Sequence, residues 1–404
     1  MTDTARRETL FRELRQALML ELEEQGEQTD EEVQARIDAL IQERSGRESL
    51  SLRLRENLYT DLFNSVRKLD ILQELVDDTE VTEIMINGWK NVFYEKQGRI
   101  LRWDKSFASP ERLEDVIQEI AGSCNRIVNE QRPIADARLS NGARVNIVLP
   151  PVSLEGPILT IRRFPDDPIT MDRLVAMGSL TREAALFLRR LVEARYSILV
   201  GGGTSTGKTT FLNALSAYIP AAERIVTIED NAELQLQGIP NLVRLEAREA
   251  NIEGASAVSI RDLIRTALRM RPDRIIIGEI RGAEAGDFLV CLNTGHDGSM
   301  GSAHANSVSE MTLRLQTMSM MSDMKLSIPV IKRQITAGVE ILVHLSRTPS
   351  GARRLEEVAE IIGMEGEEIA MHTLFRRDEA GRLVRSEALQ HTEKWERIHG
   401  RVEN

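Results

Sequence analysis

Between Gly202 and Thr210 the chain reads GGTSTGKTT, a set of residue types whose spacing can hold phosphate. Backbone N–H groups wrap phosphate oxygens only where glycines permit the turn and leave no side chain in the way. Lys208 supplies a point charge for the β- and γ-phosphates, and the Thr209 hydroxyl suits the Mg²⁺ that accompanies them. Gly202, Gly203, Thr204, Ser205, Thr206, Gly207, Lys208, Thr209 and Thr210 are therefore the expected nucleotide-binding residues. The pattern carries this meaning only between a strand and a helix. Ile198, Leu199 and Val200 precede it as an apolar run, and Phe211, Leu212 and Leu215 follow at helical spacing. A helix opening at Lys208 also aims its positive N-terminal end at the same phosphates.

Three further groups could complete the chemistry. Arg274-Ile-Ile-Ile-Gly278-Glu279 is an apolar strand ending in an acid that can hold Mg²⁺ or its water. Gly278 occupies the position where an Asp is usual, which leaves Glu279 as the candidate. Glu229, Asp230 and Glu233 follow a second apolar strand, either to orient and deprotonate a water or as a helix cap with solvated acids. His296 and His304 lie eight residues apart in a glycine-rich loop. They read either as neutral donors to a γ-phosphate or as structural histidines around a turn. Arg138, Arg144, Arg162 and Arg163 offer guanidinium forks for phosphate, or are ordinary surface arginines.

The elements that must position these groups alternate in type. Strands at Ile225–Asp230, Arg274–Glu279 and Val339–Leu345 separated by helical patterns predict an α/β fold with its ligand beyond the strands' carboxyl ends. Upstream, residues from about 80 read as an α+β domain. Short strands turn at Asn87-Gly88 and Gln97-Gly98, a helix runs from Pro110 to about Asn129, and a hairpin turns at Asn141-Gly142. Phe164-Pro165-Asp-Asp-Pro168 reads as a stiff linker. Residues 5 to about 45 form two amphipathic helices, the second opened by a Thr29/Glu32 capping box and broken at Ser45-Gly46. A third carries Leu54, Leu58, Leu62, Val66 and Leu69. These stripes suit a small bundle, or an arm for a partner. Met311, Met318, Met320, Met321 and Met324 read as core filler, and Arg265, Arg269, Arg271 and Arg274 as ion-pairing residues between domains or subunits.

Composition narrows the function classes. A chain of 404 residues implies two or three domains. A net charge of −11 and 4% aromatic content count against nucleic acid as the main ligand. No apolar run approaches the roughly 18 to 20 residues of a membrane span, and the first residues lack a signal peptide's apolar region. Cys124 and Cys291 have neither metal-ligand spacing nor the look of a bridge, as in a reducing compartment.

The segments GGGTSTGKTT, TIEDNAEL, RMRPDRIIIGEIRG and NTGHDGSMGSAHAN, in this order, resemble the Walker A, Asp box, Walker B and His box of secretion ATPases. More narrowly, with VTEIMINGWKNVFYEKQGRI and IADARLSNGARVNIVLP, the chain is similar to the CpaF branch that drives tight-adherence (Tad) pili. The resemblance covers about residues 55 to 365. It implies an N-terminal helical region (1–75), an α+β, PAS-like domain (76–164), a linker (165–172) and a RecA-like P-loop ATPase domain with a C-terminal extension (173–404). It further implies a cytoplasmic homo-hexamer that hydrolyses ATP with Mg²⁺ and docks on an inner-membrane platform protein, assembling or retracting a pilus. Glu229 is then the catalytic glutamate, and Glu279, with Thr209, the Mg²⁺ side. His296 and His304 are the phosphate-sensing pair, and Arg138, Arg144, Arg162 and Arg163 lie on strands that approach the nucleotide. Ser302 stands where Thr is commoner, and the four-cysteine zinc insert of some relatives is missing. A RecA-like nucleic-acid translocase, a conjugation-type motor and a small-acceptor kinase are the competing readings.

Overall fold

A computed structural model of the protein describes residues 3–25, 28–139, 141–163, 168–248 and 257–400. The chain divides into two units, Met1–Pro165 and Asp166–Asn404. Residues 164–167, where the expected linker (165–172) begins, lie outside the described residues, and its last two residues open the helix Met171–Ala176.

The first unit opens with helices α1 (Asp3–Gln25), α2 (Asp30–Arg47) and α3 (Leu52–Arg67), followed by the short α4 (Leu72–Asp77). The capping box forms as expected, with the Thr29 hydroxyl accepting from the Glu32 amide and the Glu32 carboxylate accepting from the Thr29 amide. Leu10, Leu14 and Leu18 of α1, Val33, Ile37 and Ile41 of α2, and Leu58 and Leu62 of α3 bury one another. The leucine stripes thus make a self-packed bundle. Ser45-Gly46 does not break α2, which continues to Arg47; the Ser45 hydroxyl donates to the Ile41 carbonyl within the helix.

Arg112 ties the end of this bundle to the sheet of the same unit. Its guanidinium meets Asp70 at 2.6 Å and donates to the Ser65 carbonyl at 2.6 Å. The sheet has six antiparallel strands: β1 (Val81–Asn87), β2 (Val92–Lys96), β3 (Arg99–Arg102), β4 (Ile134–Arg138), β5 (Arg144–Val148) and β6 (Ile158–Arg162). Their order is β3-β2-β1-β6-β5-β4. Between β3 and β4, α5 (Pro110–Ser123) lays Leu113, Val116, Ile117 and Ile120 on the face carrying Ile84, Ile86, Val145, Ile147 and Ile161. α5 ends six residues earlier than its periodicity suggests, where Asn125 takes a positive φ of 53°.

The second unit contains α6 (Met171–Ala176), α7 (Arg182–Glu193), β7 (Ile198–Gly202), α8 (Lys208–Ser216), β8 (Ile225–Glu229), β9 (Leu242–Glu246), α9 (Ile260–Ala267), β10 (Arg274–Ile280), α10 (Glu284–Leu292), β11 (Met300–Ala303), α11 (Val308–Met320), α12 (Ile328–Gly338), β12 (Ile341–Arg347), β13 (Arg353–Glu365), β14 (Glu368–Arg377), β15 (Leu383–Arg385) and α13 (Glu393–His399). One nine-stranded sheet runs β15-β14-β13-β12-β7-β11-β10-β8-β9. The six strands from β12 to β9 are parallel, while β13, β14 and β15 extend the β12 edge antiparallel. β7 and β8 are buried along their whole length and read as continuous apolar runs, as parallel strands covered on both faces do.

Two apolar clusters flank this sheet, one gathered on α7, α8 and Trp395, the other on α9, α10, α11 and α12. Met311 and Met318 are core residues of the second, whereas Met320 and Met321 are exposed, so the methionine filler is only half realised. Two of the four arginines of this stretch, Arg265 in α9 and Arg274 at the start of β10, have acidic partners close by. Arg265 pairs with Asp287 at 3.0 Å, and the fully buried Arg274 grips Glu223 at 2.6 Å and 2.9 Å, both inside the unit. Among the described residues no helix is long and apolar enough to cross a membrane.

Candidate functional site

β7, the middle strand of the nine-stranded sheet, delivers the chain to the glycine loop, and α8 takes it away. Two positive-φ residues make the loop's turn, Ser205 at 58° and Gly207 at 91°. Gly207 is the N-cap of α8 in a left-handed conformation that a side chain would strain. Gly202 is required for a different reason. A Cβ there would stand 2.5 Å from the Thr206 hydroxyl oxygen and 2.7 Å from the Leu345 carbonyl oxygen. The Thr206 hydroxyl closes the loop by donating to the Gly203 carbonyl at 2.9 Å. Helix geometry then presents the first amides of α8 toward the loop's concave side.

Lys208 is almost fully buried, its ammonium donating to the Gly202 and Gly203 carbonyls at 3.2 Å and 3.0 Å. The same ammonium lies 3.8 Å from Glu279 and 3.4 Å from the His304 ring. Glu279 and His304 arrive from the carboxyl ends of β10 and β11, which lie side by side in the sheet. His304 Nε2 stands 2.6 Å from Glu279 Oε1, but that oxygen accepts no hydrogen bond, so the contact is a close charge–dipole approach. Burial holds the His304 pKa below its ordinary value, with Glu279 opposing, so the ring is neutral at pH 7. Arg281, which sequence reasoning passed over within the GEIRG run, donates to Glu279 Oε2 at 2.9 Å and comes within 3.6 Å of Asp230.

Glu229 ends β8 and is buried. One carboxylate oxygen accepts from the Glu233 and Leu234 amides at 2.8 Å each, while the other, Oε1, has no hydrogen-bond donor among the described residues. Burial pushes its pKa up to about 7 in spite of the two amides. Asp230 starts no helix, so the cap reading of this acidic cluster does not hold. Gly278 on the neighbouring strand makes room for Glu229, because a Cβ there would sit 2.8 Å from Glu229 Cγ. The Ser302 hydroxyl fixes Gly278 in turn by donating to its carbonyl at 2.6 Å. Glu233 reaches back to the loop and accepts from the Thr209 hydroxyl at 3.2 Å.

Glu229 Oε1 is a buried carboxylate oxygen without a donor among the described residues, while Glu279 Oε1 accepts no hydrogen bond but is approached by the Lys208 ammonium and the His304 ring. Leaving such an oxygen unpaired is costly, and a cation with its bound waters is a partner that suits it.

His296 does not join this group. It precedes β11 and His304 follows it, so the strand's full length separates them, and the His296 ring faces the Cys291 carbonyl at 3.3 Å. The same end of the sheet holds Ser299, whose hydroxyl accepts from the Ile275 amide at the start of β10.

The four arginines belong to the first unit. Arg138, Arg144 and Arg162 face one another across β4, β5 and β6 in a single cross-strand row, on the sheet face opposite Val145 and Ile161. Like charges in such a row repel unless anions intervene. Arg163 stands apart, its guanidinium donating to the Asp78 carbonyl and its amide to Thr82. Cys291 is buried, which pushes its thiol pKa up to about 12, and it is chemically inert.

The family model described as "Type II/IV secretion system protein" matches residues 66–402. A putative conjugal transfer protein of Mycobacterium tuberculosis is 36% identical over 304 residues, covering 73% of this chain and 85% of that protein. The type IV secretion system protein PtlH of Bordetella pertussis is 34% identical over 310 residues, covering 71% of this chain and 91% of that protein. Among solved structures, the ATPase DotB of Yersinia pseudotuberculosis superposes with a TM-score of 0.53 at 19% identity, over 72% of this chain and 77% of that one; this is a likeness of fold.

Proposed function

This chain belongs to the type II/IV secretion system protein family, and from that premise we propose that it hydrolyses ATP to drive a secretion or pilus machine. The observation that carries the reading is the convergence of Lys208, Glu279 and His304 within 4 Å at the carboxyl ends of adjacent strands, beside a phosphate loop. A buried ammonium, an acid and a neutral imidazole at one point suit a γ-phosphate and its Mg²⁺ better than any neutral ligand.

Each residue then has a task. Lys208 leaves the loop carbonyls to meet the β- and γ-phosphates. Thr209 and Glu279 would hold a Mg²⁺, which when bound would offset the phosphate charge. Glu229, with a free oxygen and a pKa near 7, accepts the proton of the attacking water. His304 donates to the γ-phosphate as a neutral group. The row of Arg138, Arg144 and Arg162 supplies the guanidinium charge that phosphoryl transfer calls for; this reading assigns no such task to Arg163 or His296.

The working particle in this proposal is a cytoplasmic homo-hexamer that reaches the membrane only through a platform protein. The machine is either a Tad-type pilus or a conjugation or type IV secretion apparatus. The names carried by the M. tuberculosis and B. pertussis relatives favour the second. Phosphate release by the purified chain, with light scattering in the presence and absence of Mg²⁺-ATP, tests the core of it. A magnesium-dependent hexamer that releases phosphate is expected. A monomer that transfers phosphate to a small acceptor would indicate a kinase instead, and turnover that rises only with DNA a translocase.

A further inference from the structure

One surface of the second unit takes no part in the phosphate chemistry. α11 and α12 pack against each other and against α10. Inward, α11 buries Met311, Leu315 and Met318, and α12 buries Ile331 and Ile335. On the outer side Leu313, Met320, Met321, Ile328 and Val330 are between 41% and 61% exposed. Leu313 and Met320 stand about two helical turns apart on one face of α11. The other three follow at its end and at the start of α12. Single apolar side chains scattered over a surface need no explanation, but five on one helix–turn–helix do.

The same stretch departs from the charge of the chain. Residues 307–338 carry Arg314, Lys325, Lys332 and Arg333 against Glu310 and Asp323, a net +2 in a chain of net −11. Both acids are engaged. Glu310 accepts from the Asn306 amide at 3.0 Å, and Asp323 pairs with Arg261 at 2.8 Å. Lys332 is held by Glu368 of β14 at 3.0 Å. Arg314, Lys325 and Arg333 have no ion-pair partner among the described residues. Soft apolar side chains beside unpaired cations, on a molecule otherwise acidic, fit a partner of the opposite charge with an apolar stripe of its own.

We propose that the outer face of α11 and α12 docks an acidic amphipathic helix of another protein. Its apolar stripe lies on Leu313, Met320 and Met321, and its carboxylates face Arg314, Lys325 and Arg333. Methionine is unbranched and polarisable, so such a surface adapts to the helix it receives. A second copy of this chain is the poorer occupant, because pairing this face with itself sets one group of cations against its own copy. An anionic bilayer is poorer too. Asp323 keeps 87% of its side chain exposed within the patch, and a chain of net −11 is repelled by such a surface. α11 is also the helix that follows β11 and His304, so a docked partner rests one element away from the phosphate site.

The experiment is fluorescence anisotropy of the full chain with labelled peptides of about 18 residues. One is a helix with leucines on one face and glutamates on the other; the second has lysines for the glutamates; the third is a shuffled form of the first with no apolar face. The acidic amphipathic peptide should bind at least about tenfold tighter than either control. Met320→Asp with Met321→Asp should weaken it about tenfold or more. Arg314→Glu with Arg333→Glu should transfer the preference to the lysine peptide. All four positions are exposed, so both pairs should melt with the parent, and if one pair melts lower the other decides. Equal binding of the three peptides, no binding at about 1 mM, or binding that neither pair alters overturns the proposal. Phosphatidylserine vesicles that bind the chain through Met320 and Met321 when no peptide does would assign the face to a membrane instead. A dimer in light scattering that both pairs dissolve would assign it to a second copy.

Discussion

At the scale of single residues the site's chemistry rests on two groups in unusual surroundings. Lys208 is a buried ammonium satisfied by two carbonyls, so a phosphate must compete with the loop for it. Lys208→Ala removes a charge-assisted contact, and nucleotide affinity should fall about 10- to 100-fold, read by calorimetry. Glu229 makes the sharper case because its pKa is raised to about 7. Unfolded, the same carboxyl titrates near 4.5. Between those values the folded chain binds a proton that the unfolded chain does not, so stability falls as pH rises through the window. The penalty is absent below about pH 4.5 and reaches about 3 kcal/mol above pH 7. Glu229→Gln should therefore melt higher than the parent at pH 8 and at nearly the same temperature at pH 4. The same variant should keep nucleotide and lose turnover. In the parent, kcat/KM should rise with pH through an apparent pKa near 7, and normal turnover in the variant would move the base to another group.

At the scale of elements, glycines on neighbouring strands decide where the acids point. Gly278 lies in β10 beside Glu229 in β8, and any side chain there must displace the carboxylate from the Glu233 and Leu234 amides. Gly278→Ala should cost about 1–3 kcal/mol in the melt and lower turnover more than tenfold with nucleotide affinity retained. Gly46 is the opposite case, a helical glycine in α2 with no atom within 4 Å of its would-be Cβ. Gly46→Ala should stabilise the first unit by up to about 1 kcal/mol. These two positions also show what the sequence made legible. Strand, loop and helix around Lys208 were readable because apolar runs and glycine spacing are local signals. The Ser45-Gly46 break was misread because tertiary burial of Ile37 and Ile41 outweighs glycine's weak propensity. His296 pairs with His304 in the sequence through a shared glycine-rich loop and the resemblance to a His box, and neither tells which end of a strand each residue occupies. Arg353 gave no motif of its own, since its contact with the Ser205 carbonyl depends on segments far apart in the chain.

At the scale of the whole molecule, the four hydrophobic clusters respect the division of the chain. Two lie within residues 10–161 and two within residues 171–395. Among the described residues, no strand of the first unit's sheet pairs with the second's. The carboxyl-terminal segment closes the second unit on itself. Buried Glu360 accepts from the Gln390 and His391 amides at 2.7 Å and 2.8 Å, and Trp395 packs at 5.3 Å from Phe187. A unit with its own core, its own complete sheet and its own closing strap should fold when severed. Residues 166–404 alone should therefore give a single cooperative melt and bind Mg²⁺-ATP within about tenfold of the full chain, since Lys208, Thr209, Glu229, Glu279 and His304 all remain. If the row of Arg138, Arg144 and Arg162 serves phosphoryl transfer as proposed, turnover should fall in the fragment, which lacks it. Phosphate release measured on the fragment and on the full-length Arg138→Ala, Arg144→Ala and Arg162→Ala variants separates the two contributions. Loss in the fragment with no loss in any arginine variant would show that the first unit contributes something other than guanidinium charge. Full turnover in the fragment would place the whole of the chemistry on the nine-stranded sheet.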